Sequence, residues 1–96
     1  MKMQRHFGTE KAIAQRETAQ IRRMIVDLER TVQILVCDVA TEEERANVSV
    51  PSDAGYPILA RVMAVRRDNL KMTIAALKQR LIVVEASASE ATTIAA

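Results

Sequence analysis

The chain has 96 residues, 49% of them apolar and 27% charged, with one Tyr, one Phe and no Trp. This length sets one domain, and the lack of bulky aromatic filler favours long amphipathic helices over a compact globule. A net charge of +2 is too small to mark a nucleic-acid binder, and one Cys with one His excludes an internal disulfide and a one-chain zinc site.

The opening, "MKMQRHFGTEKAIAQRE", is basic but lacks the apolar run of a secretory leader, and Glu10 follows soon. His6 lies in this basic stretch, where a surface role is expected. The longest apolar runs, "ILVC" and "LIVV", have four residues each, far short of the ~18 of a membrane span. A cytoplasmic protein without membrane insertion is the expectation.

Gly and Pro punctuate the chain unevenly. Pro51, Gly55 and Pro57 cluster in "PSDAGYP", while neither residue occurs from Thr9 to Val50 or from Ile58 to Ala96. That pattern predicts a first helix over about 9–46, a connection over 47–56, a second helix over about 57–88 and a frayed tail over 89–96. Thr9 is a candidate N-cap with Glu10 in the first turn, and Pro57 suits the first turn of the second helix. The β-branched runs "TVQILVCDV" and "RLIVVEA" also read as strands in isolation. Both continue a helical spacing from their flanks, so helix is expected.

The first half carries a heptad seam, Ile21, Ile25, Leu28, Val32, Leu35, Val39, with spacings of 4, 3, 4, 3, 4. Ile25, Val32 and Val39 then stand at position a, and Ile21, Leu28 and Leu35 at d. Thr18 and Ala14 continue it weakly. The second half repeats the pattern with Met63, Leu70, Leu77 and Val84 at d, and Ala60, Arg67, Ile74, Leu81 and Ala88 at a. Folding back at the Pro/Gly cluster gives an all-α antiparallel two-helix coiled-coil hairpin. One register meshes throughout: Val39 with Met63, Val32 with Leu70, Leu28 with Ile74, Ile25 with Leu77, Ile21 with Leu81 and Thr18 with Val84. It sets Arg67 opposite Leu35, with Asp38 and Glu42 as the expected acidic neighbours. An Arg there lays its methylenes over the seam and penalises wrong registers; a partner-facing role for Arg66 or Arg67 is the sharper alternative.

Met24, Val26, Ile34, Val36 and Cys37 on the first helix lie off this seam, as do Val62, Val65, Met72, Ile82 and Val83 on the second. A two-helix core cannot cover them all, so homo-oligomerisation or a docking surface for another protein is expected. Enzymatic chemistry is not. Glu42, Glu43 and Glu44 point about 100° apart on a helix, which reads as a solvated helix end, and Cys37 reads as a spectator thiol. There is no phosphate loop, metal-spaced cluster or catalytic set, so no cofactor or catalytic residue is assigned. The basic stretches lack aromatic stacking partners, so nucleic-acid binding is not expected.

Three segments, "AQIRRMIVDLER", "EEERANVSVPSDAGYP" and "RRDNLKMTIAALKQRL", together resemble the flagellar export protein FliJ family, in its short alphaproteobacterial form. The conjunction of a Tyr-Pro turn with an Arg-Arg-Asp-Asn-Leu block at this spacing carries the likeness, over roughly Glu10 to Glu85. The basic helical start and the long second helix of that family are replaced here by a different N-terminal segment and the small-residue stretch Ser87–Ala96. The resemblance implies a non-enzymatic component of the flagellar type III export apparatus, cytoplasmic or peripheral to the inner membrane at the flagellar base. Its implied partners are the export ATPase ring, the export gate and substrate-specific chaperones. The partner-binding candidates it marks are Arg66, Arg67, Asp68, Asn69 and Tyr56.

Overall fold

The computed structural model describes the backbone of residues 2–95 and the side chains of residues 9–90. Helix α1 spans Lys2–Ala46 and helix α2 spans Ile58–Ala95, with no strand among the described residues. The protein is an all-α helical hairpin. The β-branched runs lie inside α1 and α2, where side-chain packing overrides a small loss of propensity.

Both helices exceed their expected lengths. Thr9 lies inside α1 and is not its N-cap, because the helix runs on through Gly8 to Lys2. One Gly costs a helix interior only about 1 kcal/mol, too little to end a long helix. At the other end α2 continues to Ala95, past the tail expected to fray from residue 89. The side chain of His6 falls outside the described residues. Pro57 stands just before α2, and its carbonyl accepts the Arg61 N–H at 3.1 Å. It is therefore the capping residue of α2, where the missing proline N–H costs nothing. Hydroxyl residues inside the helices bond back one turn, as Thr41 Oγ1 does to the Cys37 carbonyl at 2.9 Å and Thr73 Oγ1 to Asn69 at 3.2 Å.

The chain divides into two compact units. The unit Asp27–Ile74 holds the connection. Its buried residues are Val32, Leu35, Val39, Tyr56, Ala60 and Ile74, with Leu28, Met63, Arg67 and Leu70 half-buried. Val39, Tyr56 and Ala60 form one cluster, against which Val48, Met63 and Ala64 pack. All these seam positions turn inward, while Ile34, Val36, Cys37, Val62, Val65 and Met72 are exposed.

The other unit joins the part of α1 up to Val26 with α2 from Ala75 onward. Ile21, Ile25 and Val84 are buried here, and Thr18, Leu77, Leu81 and Ala88 are half-buried. Two ion pairs tie the helices together: Arg22 Nη2 to Glu85 Oε1 at 2.6 Å, and Arg80 Nη2 to Glu17 Oε1 at 2.7 Å. In a register that sets Ile21 opposite Leu81, Arg22 and Glu85 are both e residues, and Glu17 and Arg80 are both g residues. Antiparallel coiled coils bring e beside e and g beside g, so the two pairs flank the seam on opposite edges. Each is largely solvent-exposed and contributes about 0.2–1 kcal/mol. Their use is to favour one register over its neighbours.

Candidate functional site

The best-defined polar constellation surrounds the connection between the helices. Helix α1 ends in a Schellman motif. Asn47 takes the left-handed conformation, with φ of 56°. Its N–H bonds to the Glu44 carbonyl, and the Val48 N–H bonds to that of Glu43, both at 3.1 Å. Those two bonds satisfy carbonyls that a helix end leaves orphaned, and Val48 then packs into the core cluster as the motif's apolar contact. Asn tolerates the left-handed region better than other non-glycine residues.

Two turns follow. The Asp53 N–H donates to the Val50 carbonyl at 3.0 Å, and the Tyr56 N–H to the Asp53 carbonyl at 3.1 Å. Pro51 occupies the second position of the first turn, where its fixed φ suits the geometry. In the second turn, Asp53 Oδ1 accepts the Gly55 N–H at 2.8 Å, an Asx turn.

Tyr56 locks the arrangement. Its ring is only 6% exposed and packs with Val39 and Ala60. Its hydroxyl donates to Glu43 Oε2 at 2.9 Å. The Arg61 guanidinium lies 5.5 Å from the ring centroid and donates through Nη2 to the Pro51 carbonyl at 3.0 Å. Burial, followed by the hydrogen bond to Glu43 and that carboxylate's charge, raises the Tyr56 pKa above its ordinary value. The phenol therefore stays protonated and keeps donating.

This corrects two expectations. Tyr56 was expected to face a partner, but it is buried and holds the connection. The Glu42–Glu44 run was expected to be a solvated end, yet only Glu44 is exposed. Glu43 is half-buried beneath Tyr56, and Glu42 pairs with Arg45 one turn on, at 3.3 Å. A shallow open depression of about 330 Å³ lies beside this end, lined by residues including Glu43, Glu44, Asn47 and Val48.

The Arg66–Asn69 block lies on α2 three turns beyond the connection. Arg66, Asp68 and Asn69 are exposed, Arg67 and Leu70 half-buried. Arg67 Nε donates to Asp68 Oδ1 at 3.0 Å. That hydrogen bond raises the Arg67 pKa and lowers that of Asp68. Asp38 and Glu42 were the expected neighbours. The acid and phenol within electrostatic reach of Arg67, besides Asp68, are instead Glu43 and Tyr56. Long helical side chains lean toward their helix N-terminus, which for α2 is the Tyr56 end, so Arg67 reaches past Asp38, while Glu42 pairs with Arg45 on its own helix. Sequence reasoning missed Glu43 and Arg61, whose partners lie on other elements; the only cue was the Tyr beside the turn.

Among the described residues no group of three His, Cys, Asp or Glu side chains is placed to hold a metal ion, and no helix is long and apolar enough to cross a membrane. Cys37 is a free, exposed thiol. What fold and site define is a helical hairpin with a clasped connection and a mixed charged and apolar outer face on α2. No protein-family model, curated protein or solved structure matches the chain.

Proposed function

We propose that the protein is a FliJ-like, non-enzymatic component of the flagellar type III export apparatus. It works in the cytoplasm or at the inner-membrane base of the flagellum, binding the export ATPase ring, the export gate or chaperones. The supporting observation is the resemblance of the Tyr-Pro turn and the Arg66–Leu70 block, together with the exposure of Arg66, Asp68 and Asn69 on a surface a partner can reach. Arg66 is the residue best placed to contact an acidic surface, since Arg67 is engaged with Asp68.

The test is a pull-down of the export ATPase with the intact chain, run beside a motility assay on a deletion strain. Capture of the ATPase, weakened about tenfold or more by Arg66→Glu, and lost swimming on deletion are the expected results. Normal swimming with no ATPase contact removes the export reading. The second reading is a structural coiled coil that only self-associates. It is favoured by the exposed apolar residues Val62, Val65 and Met72.

A further inference from the structure

Helix α2 carries a second heptad stripe, on the face turned away from the hairpin seam. Ile58, Val62, Val65, Asn69 and Met72 follow one another at spacings of 4, 3, 4 and 3. All five are exposed, Ile58 by 79% and Met72 by 71%. Apolar residues are accordingly spread more evenly around α2 than around α1. Four large apolar side chains in coiled-coil spacing, with one Asn among them, have the form of a seam awaiting another helix.

We propose that this stripe pairs antiparallel, about a two-fold axis, with the same stripe of a second copy of this chain. Charge selects both the occupant and the register. The stripe is flanked on one side by Arg61 and Asp68, and on the other by Leu59, Arg66 and Thr73. When Val65 faces Asn69 of the other copy, and Val62 faces its Met72, Arg61 of each copy lies beside Asp68 of the other. Two opposite-charge pairs then close the edge, and Arg66 lies beside the neutral Thr73. A heptad slip that sets Val62 against Val65 instead brings Arg61 to Arg61 and Arg66 to Arg66. A parallel pairing brings Arg61 to Arg66. Both alternatives stack like charges, which disfavours them. Asn69 adds to the selection, because a polar residue in a seam tolerates few registers.

The self-complementary arrangement is what an isologous contact requires. Asp68 reaches it with Oδ2, since Oδ1 accepts from Arg67, and Arg61 with its remaining N–H groups, since Nη2 donates to the Pro51 carbonyl. The stripe spans about 15 residues, or roughly 22 Å, so the contact is small and the dimer is concentration-dependent. The inference does not rest on an export role.

Sedimentation equilibrium of the intact chain, from about 10 µM to 1 mM, tests it. A monomer–dimer equilibrium is expected. Val65→Lys, a change at an exposed position that leaves helicity intact, should abolish it. Asp68→Arg and Arg61→Asp should each weaken it by about tenfold or more. Mixed one to one, those two variants should recover association at the level of the unsubstituted chain, because each copy then supplies the charges the other lacks. A second readout tolerates loosening of the connection by Arg61→Asp. In a Cys37→Ser background, Val65→Cys chains should cross-link to Asn69→Cys chains in preference to Val62→Cys chains. A monomer throughout the range, a dimer indifferent to Val65→Lys, or cross-linking that prefers Val62→Cys would overturn the proposal.

Discussion

The Tyr56 hydroxyl donates to Glu43 Oε2 at 2.9 Å, joining the residue before the Pro57 cap of α2 to the last turn of α1 across 13 residues of chain. This bond, with the ring packed against Val39 and Ala60, ties the connection to the end of α1. Tyr56→Phe keeps the ring and removes the donor. It should lower the melting temperature by about 4–8 °C, the effect of losing about 1 kcal/mol, a typical net hydrogen bond, in a chain of this size. Tyr56→Ala should cost more, since it also empties the cluster of Val39 and Ala60. Circular dichroism melts measure both.

Alkaline titration reads the same bond. An unfolded Tyr ionises at about pH 10, whereas burial and the Glu43 carboxylate hold the folded phenol to a higher value. The folded state then binds more protons than the unfolded one above pH ~10. The stabilisation is complete below that pH and is lost as pH rises through the folded value. The chain has one Tyr and no Trp, so tyrosinate absorbance reports this residue alone. Loss of helicity should follow the absorbance change, and Tyr56→Phe should flatten the dependence.

The end of α1 supplies a backbone test. Asn47 adopts a φ of 56°, which Gly reaches without steric cost and a β-branched residue does not. Asn47→Gly should be neutral or slightly stabilising, and Asn47→Val should destabilise by about 1–2 kcal/mol. Chemical denaturation of both variants measures the difference.

Arg67 tests what a charged residue in the seam costs. It occupies a seam position, half-buried, and its guanidinium turns to Asp68 at 3.0 Å. Arg67→Leu should stabilise the hairpin by about 1 kcal/mol by adding apolar burial opposite Leu35. Asp68 is exposed and tolerates the loss of its partner. A decrease in stability would show that the Arg67 methylenes already fill this site.

The hairpin was legible in the sequence because its determinants are local. Apolar residues at heptad spacing must share a face, and Ile21, Ile25, Val32, Leu35, Val39, Ile74 and Val84 are indeed buried. The cluster "PSDAGYP" marks the reversal because Pro and Gly act on their own backbone. Helix ends were less legible. Gly8 was read as a boundary, but neighbouring helix carries α1 through it. The clasp was least legible, because Glu43 gains its role only when Tyr56 folds back onto it. Within an acidic run nothing distinguishes Glu43 from Glu44 until that contact forms.

The seam pairs antiparallel, Val39 of α1 packing with Met63 of α2. Oxidative cross-linking of cysteine pairs in a Cys37→Ser background tests it most directly, because a disulfide needs Cα atoms within about 7 Å. Rapid intramolecular closure is expected for Val39→Cys with Met63→Cys and for Val32→Cys with Leu70→Cys. None is expected for Val39→Cys with Leu70→Cys. Closure of that last pair in preference to the first two, or only intermolecular products, would rule this pairing out.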